Sequence, residues 1–241
     1  MNEELSSQFV RARELQQDLI KSITNDLSDE LVSTKTRNLT QELLVKIRSI
    51  LDQVMYSFFE NEILPCLDES EKKKAKVYFP IVSKKGDLKS VLGRFKVKDL
   101  DQTHPNIFNF LESIQPYNKN YEWLTYLVQY SNEKHIRLTP QKRIEHKRLS
   151  MGSNGAGITL TGGASISLGR GASISIGGRR IYGNQVITPD SNHIFSDPNL
   201  DIKKEKWVAF VFENSNINVL KFCEISINKT EKIINDFLNM F

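Results

Sequence analysis

The chain has 241 residues, 39% of them hydrophobic, with 33 Lys and Arg against 29 Asp and Glu, for a formal net charge of +4. That length supports one large domain or two small ones with a proper core, and no apolar run approaches the roughly 18 residues needed to cross a bilayer. The opening MNEELSSQFVRARELQQ is charged and amphipathic, unlike a secretory signal, so a cytoplasmic protein without a membrane partner is expected.

From Leu5 the apolar residues Leu5, Phe9, Ala12, Leu15, Leu19 and Ile23 recur at helical spacing against a charged opposite face. A second helical pattern runs through Leu39, Leu43, Leu44, Ile47, Ile50, Leu51, Val54, Met55, Phe58 and Phe59. Its apolar stripe is broad enough to predict the central helix of a bundle. On this helix Arg48 and Asp52 stand four apart and share a face, as a structural ion pair or as a functional group projecting from the core.

VYFPIVSKKGD, from Val77, reads as an extended piece closed by a Lys-Gly-Asp turn, with Pro80 arguing against a central strand. A third helix follows Pro105 and ends at Pro116. A fourth carries Trp123, Leu124, Leu127 and Val128 and closes on SNEKHIR. The basic groups there, Lys134, His135 and Arg137, suit the negative end of a helix dipole. Alternatively they meet Arg48 across the bundle and form a cationic pocket for a phosphodiester or carboxylate.

Beyond Pro140 the period changes from about 3.6 to 2. RIEHKRLSM, the glycine region, KWVAFVFE and NVLKFCEIS read as strands, and NKTEKIINDFLNMF as a terminal helix. The expected fold class is α+β: an N-terminal helical bundle over 1–140, then a small antiparallel β domain with a C-terminal helix over 141–241.

Ten of the twelve glycines fall between Gly152 and Gly183. Aligned in eights, residues 155–178 become GAGITLTG, GASISLGR and GASISIGG. Because eight is even, Ile158, Leu160, Ile166, Leu168, Ile174 and Ile176 keep to one face and the Ser and Thr residues to the other. The three copies predict an antiparallel meander turning at glycines, with a solenoid turn as the rival. No phosphate-binding glycine loop is present. The aliphatic stripe needs a cover, either its own domain or a second copy in a homo-oligomer.

Charge is uneven. Residues 1–70 carry seven Lys and Arg against thirteen Asp and Glu, and residues 71–150 carry seventeen against eight. Lys142, Arg143, Lys147 and Arg148 crowd into QKRIEHKRLS, and Arg170, Arg179 and Arg180 flank the glycine turns. This favours an anionic partner through phosphate contacts, although the run lacks the interleaved aromatics of a single-strand stacking platform. Cys66 and Cys223 lie in apolar runs and read as buried thiols. The four histidines are scattered, and neither metal nor other cofactor is expected.

IRSILDQ (47–53), FPI (79–81), QPY (115–117), SNEKHIR (131–137) and WVAFVF (207–212) resemble, in order, the motifs of an uncharacterised bacterial family with LRSALDH, FPI, QPY and NDKHR. The LRSALDH motif is in turn similar to the Arg-x4-His signature of HEPN domains, helical bundles many of which are metal-independent ribonucleases. In this chain position 53 is Gln, which cannot titrate. The resemblance therefore implies a HEPN-like protein that binds RNA or another anionic ligand in a bacterial or phage defence system, without the usual catalysis. The ligand would meet Asp52, Gln53, Lys134, Arg137, Lys142, Arg143, Lys147 and Arg148. The alternatives are a ribonuclease using Arg48 and His135, and a non-enzymatic protein that oligomerises through the octapeptide face.

Overall fold

The computed structural model describes residues 3–28, 31–97, 99–132, 138–153, 156–176, 178–183, 185–191 and 201–240. The chain is α+β and forms two compact units, residues 1–142 with 211–241, and residues 143–210. No helix among the described residues is long and apolar enough to cross a membrane.

The first unit is built on α1 (Glu3–Asn25), α2 (Thr34–Phe58), α7 (Trp123–Asn132) and α8 (Val219–Leu238), with the short helices α3 (Glu69–Lys72), α4 (Asp87–Arg94), α5 (Leu100–Thr103) and α6 (Pro105–Ser113). As its stripe predicts, α2 is central: it packs on α1, α7 and α8, and Leu43, Leu44, Ile50, Leu51, Val54, Met55 and Phe58 are wholly buried. Burial at these positions contributes about 1.5–3 kcal/mol per large side chain.

Polar side chains fix how α2 enters and meets its neighbours. Ser33 caps it by accepting from Thr36 N at 3.1 Å, and the buried Asp26 accepts from Ser33 N at 3.0 Å and from Thr36 Oγ1 at 2.6 Å. Further along, Gln41 donates to the carbonyls of Tyr130 and Ser131 at the end of α7 and accepts from Thr139 Oγ1 at 2.6 Å. These are the orphan carbonyls that every helix end leaves.

Two sequence expectations are corrected here. NVLKFCEIS begins α8 and is not a strand: Asn218 caps it by accepting from Lys221 N at 2.9 Å, and Val219, Phe222, Cys223, Ser226 and Ile227 bury one helical face. A short apolar run satisfies either period, and the cap together with the packing on α1 and α2 decides it. α8 accordingly belongs with the helical unit, not with the β-rich part. Cys66 is exposed on a short turn at Pro65, whereas Cys223 is buried and its thiol is pushed up to about 12 by desolvation.

The strands are β1 (Gln141–Ser153), β2 (Ala156–Thr161), β3 (Ile166–Leu168), β4 (Ser173–Ile176), β5 (Arg179–Tyr182), β6 (Gln185–Ile187) and β7 (Asp201–Phe212). Each octapeptide supplies one strand, but the copies do not pair in succession as a meander would. β2 pairs antiparallel with β1, β3 with β6 and β4 with β5, so the β4–β5 pair is nested between β3 and β6. Gly162 and Gly171 turn the chain between copies at φ +62° and +80°, a region that favours glycine. The predicted alternation holds. Leu160 and Ile176 join Leu149, Met151, Ile181 and Ile187 in an aliphatic cluster, with Ile158, Ile166, Leu168, Ile174 and Ile202 packed against it. The stripe is covered within its own unit.

Candidate functional site

Within the helical unit, Arg48 and Asp52 form a clasp on the extended segment after α3. Arg48 Nη2 donates to the Phe79 carbonyl at 2.8 Å, Asp52 Oδ1 accepts from the Phe79 amide at 2.8 Å, and the two side chains meet at 3.0 Å. Gln115 continues the clasp by accepting from Val82 N at 2.8 Å and donating to Pro80 O at 3.0 Å. Residues 79–82 belong to no β-strand, so these side chains supply the partners that a ladder would otherwise give. The motifs IRSILDQ, FPI and QPY, distant in the chain, thus meet in one structural device.

Desolvation pulls the Arg48 guanidinium below its ordinary range and pushes the Asp52 carboxyl above its own, outweighing their mutual attraction. Beside the clasp, Gln53 faces a cleft of about 370 Å³ that is also lined by Glu4, Asp52 and Glu60. No cation is among the residues lining it, so its field opposes a phosphate. Lys134, His135 and Arg137 lie outside the described residues.

A different arrangement stands in the β unit. β1 is the middle strand of the sheet β2-β1-β7, and β7 is an edge among the described residues. Leu149, Met151 and Leu160 point into the aliphatic cluster, which turns Arg148, Ser150, Thr159 and Thr161 to the opposite face. There the indole of Trp207 on β7 lies nearly parallel to the His146 ring, with centroids 5.3 Å apart and planes 16° apart. The Arg148 guanidinium stands 5.2 Å from the same indole. A shallow groove along this edge is lined by Arg148, Lys204, Glu205, Lys206 and Trp207.

Acidic residues are interleaved but outnumbered. Glu205 meets Lys203 at 2.8 Å and Arg148 at 3.3 Å. Glu145 meets Arg143 at 3.0 Å and Lys206 at 3.1 Å, and Lys147 pairs with Asp190. Hydrogen bonds from these cations hold the carboxyls of Glu145 and Glu205 below their usual range. Lys142 is exposed at the start of β1 and belongs to the helical unit.

Residues 143–210 carry nine Lys and Arg against five Asp and Glu, an excess of four, which equals the net charge of the whole chain. The residue that sequence reasoning missed is Trp207. In sequence it belongs to an apolar strand, and only the pairing of β7 with β1 sets it beside His146 and Arg148. Compared with known proteins, the chain matches no family model, no curated protein and no solved structure.

Proposed function

We propose that the chain binds RNA or another polyanion through the edge of its β unit, on a HEPN-like helical scaffold in which Arg48 serves architecture instead of catalysis. The observation that carries this reading is the gathering of Arg148, Lys204 and Lys206 on one groove, in the unit that holds the whole net charge. Lysines on an edge strand also guard it against pairing with other chains. That role asks only for scattered charge, not for a groove that an indole helps to line.

No comparable observation favours the ribonuclease alternative. Arg48 Nη2 is engaged by Phe79 and Asp52, and the adjoining cleft is lined by carboxylates. Nor does one favour oligomerisation through the octapeptides, whose aliphatic side chains pack inside their own unit.

The test is fluorescence anisotropy of a labelled RNA oligonucleotide with the full chain across a salt series. With three or four phosphates neutralised, log affinity should fall against log salt with a slope of about −2 to −3. The Arg148→Ala, Lys204→Ala, Lys206→Ala triple variant should lose most of the binding. No binding at low salt, or binding indifferent to the triple substitution, would refute the proposal.

A further inference from the structure

We infer that the polyanion taken by the β unit is a single-stranded nucleic acid and that Trp207 is the side chain on which one of its bases stacks. This rests on the polyanion reading above and adds the substrate class.

The indole is 40% exposed, on an edge strand of a unit whose aliphatic cluster is complete without it. A ring of that size left in water forgoes its hydrophobic gain, and no packing need places it there. Its neighbours are instead flat and cationic or ionisable. His146 lies parallel to it and the Arg148 guanidinium approaches it, so three planar groups form a short ladder standing on paired strands.

Such a ladder offers a π surface that an unpaired base can extend, whereas a duplex keeps its base faces stacked inside and has none to offer. Around the ladder the chemistry suits the rest of a nucleotide. Lys204 and Lys206 line the same groove from the other side of β7, where Lys206 pairs with Glu145 and Lys204 donates to the Ser191 carbonyl, close enough to the strand edge to meet a phosphate chain that crosses it. Ser150, Thr159 and Thr161 present hydroxyls on the same face as Arg148. Every base has a π face, so the site should be tolerant of sequence. An acidic protein would satisfy the cations but would leave the ladder without a partner.

The full chain should be titrated with short oligouridylate, with duplex RNA of equal length, with heparin and with polyglutamate. Trp123 is buried and Trp207 exposed, so quenching of intrinsic fluorescence reports chiefly on Trp207. Oligouridylate should quench it and bind more tightly than the duplex. Trp207→Ala should weaken oligouridylate binding at least about tenfold while heparin binding stays within about twofold, and Trp207→Phe should restore most of the loss. An unchanged melting profile in the alanine variant excludes unfolding. Three results would overturn the inference while leaving the polyanion reading intact: duplex bound as tightly as single strand, equal losses for oligouridylate and heparin, or no effect of Trp207→Ala. Polyglutamate binding as tight as oligouridylate would assign the face to an acidic protein and overturn it as well. Binding to none of the four probes would remove both readings.

Discussion

The two units of this chain use polar residues in opposite ways. The helical unit has 24 Lys and Arg and 24 Asp and Glu, and buries Phe58, Phe79, Phe95, Phe212, Phe237 and Tyr130 completely. Its key polar groups are turned inward onto backbone: Arg48, Asp52 and Gln115 on residues 79–82, Gln41 on the end of α7, and Asp26 on the start of α2. The β unit has a core cluster of Leu, Ile and Met, keeps Trp207 and Tyr182 in water, and holds the entire charge excess. In the clasp Arg48 Nη2, Asp52 and Gln115 are spent on the backbone of residues 79–82, whereas in the β unit an indole and several cations stand at the surface. The unit with charge and an aromatic ring to spare is the better place to look for function.

Arg48→Ala tests that division most severely. It leaves the Phe79 carbonyl without its donor and Asp52 with the Phe79 amide alone, in a mostly buried setting. The expected loss is about 2–3 kcal/mol, less than for a fully enclosed pair because Asp52 is about one third exposed. Urea unfolding followed through Trp123, in a Trp207→Phe background, would measure it. Oligonucleotide binding by the folded variant should be unchanged. If binding fell while stability held, Arg48 would belong to a ligand site and the division between the units would fail.

The clasp also shows what could be read from sequence and what could not. Helical spacing put Arg48 and Asp52 on one face, but nothing in that spacing names the Phe79 backbone as their target. The stripe of α2 was legible because ten apolar residues agree on one period. The start of α8 was not, because a few apolar residues fit a strand as well as a helix until Asn218 caps them. In the octapeptides the alternation was legible from Ile158 to Ile176. The pairing was not, since side-chain period fixes faces and says nothing of which strand lies alongside. Trp207 was hidden for the same reason: its partners on β1 are neighbours only after the sheet forms.

A glycine in the bend between β5 and β6 gives a smaller test confined to the β unit. A Cβ on Gly183 would overlap the Gly169 carbonyl oxygen and come within 2.7 Å of that of Ala172. Both are backbone atoms in the turn between β3 and β4, so the strands must move apart. Gly183→Ala should cost about 1–3 kcal/mol, as overpacking does. The loss should appear as an earlier transition in Trp207 emission in a Trp123→Phe background, with Trp123 emission in the converse background left in place. Equal shifts at both tryptophans would mean that the units unfold as one.

Acid should separate the units with the smallest effect. In the β unit Glu145 and Glu205 are held below their ordinary 4.5 by the Lys and Arg side chains that bond them. A carboxyl whose folded value is depressed adds stability above its unfolded value and loses it as pH falls through the folded one, so the β unit should loosen below about pH 4.5. In the helical unit the signs are mixed. Asp68, which caps α3, and Asp101, bonded by Lys89, are likewise depressed. Asp52 is raised by burial, so its folded form prefers the proton. Its contribution is fullest below the ordinary 3.8 and is lost as pH rises through the raised value. Acid therefore removes stability at Asp68 and Asp101 but not at Asp52. Melting temperatures recorded separately at Trp207 and Trp123 between pH 6 and pH 3 should fall further for Trp207. A larger fall at Trp123 would overturn this ordering of the two units.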